Sequence, residues 1–155
     1  MTWKYVEHKD KPYVHNDGGR CKEYGIKPLK KNMIGDCVIR SLAIGLEQSY
    51  KSTLEELCSL AIEKGGVPND PSVYEPYLES KGWIKNKPPK IRQPNSVCYR
   101  NPNGVYRKVQ LRNLHLDRAI IHTVNHVTVM INGTVLDTWN CSPWCANSYY
   151  TPKPE

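Results

Sequence analysis

Phenylalanine is absent from this 155-residue chain, although tyrosine occurs ten times and tryptophan four. Its aromatic core must therefore use rings with a polar edge that needs a partner when buried. No apolar run approaches the ~20 residues of a membrane-spanning helix, so no membrane partner is expected. The first residues, MTWKYVEHKDKPYVH, lack the continuous apolar stretch of a secretory signal, which makes a cytoplasmic location the expectation. Without export, the six cysteines (Cys21, Cys37, Cys58, Cys98, Cys141 and Cys145) are expected mostly as free thiols rather than as three disulfides. The length suits one domain, residues 1–155, large enough to bury its own core.

What the chain does have is uneven charge. Its net +7 is concentrated in residues 81–118, where ten basic and one acidic side chain give +9. Residues 37–80 are net −4 and residues 119–155 net −1.

Residues 1–31 mix aromatics, charges and Gly/Pro turns and read as an extended arm or a short hairpin. A helix is predicted from Asp36 to Gln48, with Val38, Ile39, Leu42, Ala43 and Leu46 on one side and Asp36 as N-cap. A second is predicted from Ser52, with Ser52 and Glu55 as a capping box, an apolar stripe of Leu54, Leu57, Cys58, Ala61 and Ile62, and Gly65-Gly66 at its end. Asn69-Asp70-Pro71 opens a third, to about Ser80, interrupted by Pro76. Residues 83–118 are rich in loop signals, with short strands expected at 97–100 and 105–111. Three strands follow at 119–123, 126–131 and 135–139, and Asn132-Gly133 is a strong two-residue hairpin signal. The tail, 141–155, has no periodicity and is expected to be flexible.

Six cysteines and five histidines offer many pairs, and context selects Cys37 with His126. Cys37 falls in the first turn of a helix, where free N–H groups and the helix dipole favour a thiolate. Gly35 permits a sharp turn before it, and the backbone N–H of Cys37 can help to bind an oxyanion. His126 heads an alternating strand with Val127, Val129 and Ile131 on one face and His126, Thr128 and Met130 on the other. With Asn132-Gly133 as the turn, Ile131 faces Thr134, Met130 faces Val135 and Thr128 faces Asp137. Asp137 then lies diagonal to His126 on the same face, as does Trp139, and can orient the imidazole. Asn140 is the fallback orienter on the opposite face.

Gly35-Asp36-Cys37-Val38-Ile39-Arg40, His126-Val127-Thr128-Val129 and Asp137-Thr138-Trp139-Asn140 together resemble the papain-like cysteine peptidase superfamily. They are most similar to its small bacteriophage members of the bacteriocin-leader-peptidase-like kind. The resemblance covers roughly residues 32–62 and 119–140. It implies an α+β fold, with N-terminal helices packed on a C-terminal antiparallel sheet, and a thiol hydrolase acting through Cys37, His126 and Asp137 with no cofactor. If phage-encoded, the protein would work in the host cytoplasm. The glutamine that papains place before the cysteine is missing. Asn32, five residues upstream, offers the same donor chemistry for the oxyanion. Asp36 would raise the Cys37 thiol pKa unless it is fully occupied as N-cap.

The expected partner is a peptide or protein substrate, with acidic ones among the candidates, met by Trp83, Lys87, Lys90, Arg92, Arg107, Lys108 and Trp139. The alternative is an inactive papain-like module that binds an acidic partner or nucleic acid through the 81–118 segment, where Trp83, Tyr99 and Tyr106 accompany the basic residues. A structural zinc site built on Cys141-x-x-x-Cys145, completed by Cys21, Cys98 or a histidine, is a further rival; no metal is assigned.

Overall fold

The Asn132-Gly133 turn sets the register of the sheet. In the computed structural model, which describes residues 3–28, 34–92 and 106–155, both turn residues have positive φ (49° and 79°). That backbone belongs to a type I′ turn, whose twist matches the strands it joins. It connects β8 (His126–Ile131) to β9 (Thr134–Asp137), with Ile131 opposite Thr134 and Met130 opposite Val135, as the sequence predicts. A side chain at Gly133 would strike the His115 ring.

Around this hairpin lies a six-stranded mixed sheet in the order β2-β9-β8-β7-β10-β3. Here β2 is Tyr13–His15, β3 Trp83–Asn86, β7 Arg118–Thr123 and β10 Ser148–Pro152. The β2–β9 pair is parallel and the other pairs are antiparallel. The sheet is therefore neither wholly antiparallel nor wholly C-terminal. Two small ribbons flank it, β1 (Lys4–Tyr5) with β6 (Leu114–His115), and β4 (Lys90–Arg92) with β5 (Tyr106–Lys108).

Both faces of the sheet are covered. On one face lie α2 (Cys37–Gly45), α3 (Tyr50–Lys64) and α4 (Pro71–Ser80), which pack Val38, Leu42, Leu57, Val73 and Leu78 against Ile120, Val127, Val129 and Tyr150. On the other, the 109–116 and 141–146 segments bring Val109, Leu111, Leu116, Cys141 and Ala146 against Ala119, Ile121, Met130 and Tyr149. Alternate residues of β7 and β8 thus enter two different cores, which explains their near-continuous apolar sequence.

Several local expectations change. The 141–155 tail is not free at its centre, because β10 inserts between β7 and β3 with Tyr149, Tyr150 and Thr151 buried. The N-terminal arm is not a hairpin: β1 and β2 pair with different, distant strands, and α1 (Arg20–Tyr24) follows. Helix α3 starts at Tyr50, capped by Ser49, whose side chain accepts from the Ser52 N–H. The carboxylate of Glu23 accepts from the N–H groups of Tyr50 and Lys51, so the capping is shared between Ser49 and α1 instead of coming from a Ser52–Glu55 box. Ile62 leaves the apolar stripe and is exposed. The strand expected at 97–100 lies outside the described residues. No helix is long and apolar enough to cross a membrane among those residues.

Candidate active site

Cys37 is the first residue of α2, and Asp36 occupies the N-cap position. The Asp36 side chain makes no capping bond, contrary to the expectation for a helix-starting aspartate. It turns inward to an ion pair with Arg40, one turn along the helix, and accepts a 2.9 Å hydrogen bond from the Tyr50 hydroxyl. Its charge is thereby matched close at hand, which removes the conflict with a thiolate next door.

Helix and sheet are tied where the chemistry lies. The Ser41 hydroxyl donates to the Val127 carbonyl at 3.1 Å, fixing α2 against the start of β8. His126 begins that strand, and its Nε2 lies 2.7 Å from Asp137 Oδ2. Nδ1 is the ring nitrogen not engaged by Asp137, and Cys37 and His126 lie close enough to shift each other's pKa, the thiol downwards and the imidazole upwards. The His126 ring also packs on Trp139, with 4.8 Å between centroids, and Trp139 meets Trp144 edge-on at 5.4 Å.

Asp137 is 1% exposed, and its two oxygens have separate duties. Oδ2 faces His126. Oδ1 accepts from Arg40 at 2.9 Å and from the Thr138 N–H at 2.7 Å. Arg40, itself buried, therefore joins Asp36 beside the thiol to Asp137 behind the histidine. The N-terminal arm seals this bridge. The Asn16 N–H donates to the Asp137 carbonyl, and Gly18, at φ +75°, lies so close that a Cβ there would come within 2.7 Å of the Arg40 Cβ.

The electrostatics follow from these contacts. Burial pushes the Cys37 thiol pKa up, but hydrogen bonds from His126 and the Val127 N–H and the charges of His126 and Arg40 outweigh it, for a net lowering. Burial disfavours a charged His126, yet its bonds to Asp137, Cys141 and Cys37 and the Asp137 charge raise its pKa to about 11. Asp137 is held below the ordinary carboxylate range against its burial, first by His126, then by Thr128 and by the charge of Arg40. Together these contacts favour a charged His126 and shift Cys37 towards the thiolate. These shifts bear on stability. The His126 contribution is complete below the ordinary value of 6.5 and is lost as pH rises towards about 11. The melting-temperature advantage of wild type over His126→Gln should therefore shrink between about pH 7 and pH 10. Thermal unfolding of both proteins across that range checks this, and a constant difference would contradict the charged histidine.

Of the other expected site residues, Asn32 lies outside the described residues. Asn140 is exposed, and its Oδ1 accepts from the Ser142 N–H, which leaves the orienting role to Asp137. Trp83 does not face a partner: it is 4% exposed in the helix-side core, with Arg118 over its ring. Lys87 and Lys90 are exposed, Arg107 and Lys108 half-buried, and Arg92 belongs to β4. Cys145 lies near the Lys108 carbonyl, and among the described residues the grouped metal-ligating side chains take in Cys141 but not Cys145. Sequence reasoning missed two residues here. Arg40 was legible as a charge amid apolar helix positions, four residues after Asp36. Cys141, marked in the sequence only by its spacing to Cys145, is buried against Asp137, a contact that the sequence did not signal. Comparison with protein-family models, curated proteins and solved structures finds no match.

Proposed function

We propose that this protein is a papain-like thiol hydrolase, a cysteine peptidase in its simplest form, with Cys37 as nucleophile, His126 as acid–base and Asp137 as orienter. The observation that carries the reading is the single imidazole held at 2.7 Å by a buried carboxylate, at the head of a strand tied to the helix that Cys37 opens. In this mechanism the Cys37 thiolate attacks the substrate carbonyl carbon. The oxyanion that forms is stabilised by the Cys37 N–H at the start of α2. The carbon–nitrogen bond breaks as His126 gives its proton to the leaving amine, which leaves a thioester on Cys37. His126, now neutral, takes a proton from water, whose oxygen displaces the thiolate and releases the acid. Asp137 stays ionised throughout, with Arg40 on its other oxygen.

The surroundings favour a substrate with an apolar side chain and acidic neighbours. A cavity of about 440 Å³ has Val124, Pro143 and Trp144 in its wall, and Trp144 continues the aromatic contact that starts at His126. Lys108 also lines it and sits directly opposite Lys90 across the β4–β5 ribbon. Like charges facing each other are unfavourable alone and are relieved by an anionic ligand.

An activity-based thiol probe tests the reading, read by mass spectrometry. Wild type is expected to be labelled at Cys37 and the Cys37→Ala variant to remain unlabelled. Peptides with an aromatic residue flanked by Asp or Glu should be cut faster than neutral ones, with the advantage fading as salt rises. Labelling that falls first on Cys21, Cys58 or Cys145 would defeat the assignment.

A further inference from the structure

A thiol hydrolase of this design needs one cysteine, yet a second thiol is built into the site. Cys141 is fully buried, and its Sγ lies 3.5 Å from Asp137 Oδ2, the same oxygen that holds His126 Nε2. One imidazole nitrogen, one carboxylate oxygen and one sulfur, from His126, Asp137 and Cys141, all lie within 4.8 Å of one another. From this cluster we infer a zinc-binding inhibitory site, in which His126, Asp137 and Cys141 hold one divalent zinc ion at the expense of the catalytic triad.

The geometry fits that ion. Zinc takes sulfur at about 2.3 Å and oxygen at about 2.0 Å in a tetrahedron, which puts those two ligand atoms about 3.5 Å apart. The observed separation is 3.5 Å. The nitrogen and oxygen must part from 2.7 Å to roughly 3.3 Å for the ion to enter between them. Small shifts of the two side chains supply this, and water fills the fourth position. The donor set of borderline nitrogen, soft thiolate and hard carboxylate suits zinc better than magnesium or calcium, which favour oxygen alone. Arg40 stays on Asp137 Oδ1 and so need not yield. One thiolate and one carboxylate balance the dication, and the protons of Cys141 and the imidazolium pass to solvent.

The consequence for the thiol is direct. Zinc on His126 occupies the imidazole that the proposed mechanism uses as its acid–base group, so metal loading switches Cys37 reactivity off without contact with Cys37 itself.

Zinc affinity is measured by competition with a chromophoric chelator, using zinc chloride and the full chain. Wild type and Cys37→Ala are expected to bind one equivalent alike, so failure of the hydrolase reading would not remove the metal site. Cys141→Ser should bind more than about 100-fold more weakly, beyond the 10–100-fold effect of losing an outer-shell partner. Saturating zinc should slow alkylation of Cys37 at least about tenfold in wild type and leave Cys141→Ser unaffected, the size expected once the base is withdrawn. Zinc X-ray absorption on wild type needs no substitution, and should show one sulfur near 2.3 Å with nitrogen and oxygen neighbours. A shell with no sulfur or with two, equal affinity in Cys141→Ser, or no stoichiometric binding would each overturn the inference.

Discussion

Arg40→Met is expected to cost the folded chain about 3–5 kcal/mol, the range seen when one partner of a buried ion pair is removed and the other is left behind. Here two carboxylates would be stranded, Asp36 and Asp137, both buried and both facing the same guanidinium. Methionine fills much of the same space, so the loss is one of charge compensation more than of packing. A domain of this size loses roughly 2–4 °C per kcal/mol, so the melting temperature should fall by on the order of 10 °C. Circular dichroism at neutral pH reads the change. Replacing all three members together (Asp36→Asn, Arg40→Met, Asp137→Asn) should recover much of the stability, because no buried carboxylate or guanidinium is then left alone and His126 can rest neutral. A single-variant loss below about 1 kcal/mol would place the three groups in contact with water and remove Arg40 from the site's framework.

The second large effect is chemical. His126→Ala is expected to lower peptide hydrolysis on the order of 10⁴-fold or more, since it removes both the proton carrier and the charge that keeps Cys37 ionised. Asp137→Asn should cost less, because its amide oxygen can still accept from the imidazole N–H. Asn140→Ala should be close to neutral, since Asn140 bonds only the Ser142 N–H among the described contacts. The order His126, then Asp137, then Asn140 is measured by steady-state kinetics on one peptide. Equal losses at Asp137 and Asn140 would mean that the hairpin register does not decide the orienter.

That register was readable because a two-residue Asn-Gly turn admits one pairing, and one pairing puts His126 and Asp137 on one face. The α2 start was readable from its apolar spacing. What escaped depended on partners far along the chain. The Asp36 side chain left its cap because Arg40 and Tyr50 offered a buried alternative. The start of α3 moved because Glu23, in another helix, supplied its caps. Strand β10 gave no alternation because its neighbouring tyrosines enter opposite cores, and its proline argued against a strand. Trp83 looked like a stacking platform in a basic segment, and became core once β3 joined the sheet edge.

The Arg40–Asp137 bridge spans 97 residues of sequence, and β2 reaches β9 across a still longer separation. Contacts of that kind close late in folding, since the entropy of a long loop must be lost before they form. Before closure, Cys37 has neither His126 nor Asp137 near it. On the proposed reading its nucleophilicity would be a property of the finished topology, acquired in the slow non-local step, and a chain caught half-folded would be chemically quiet.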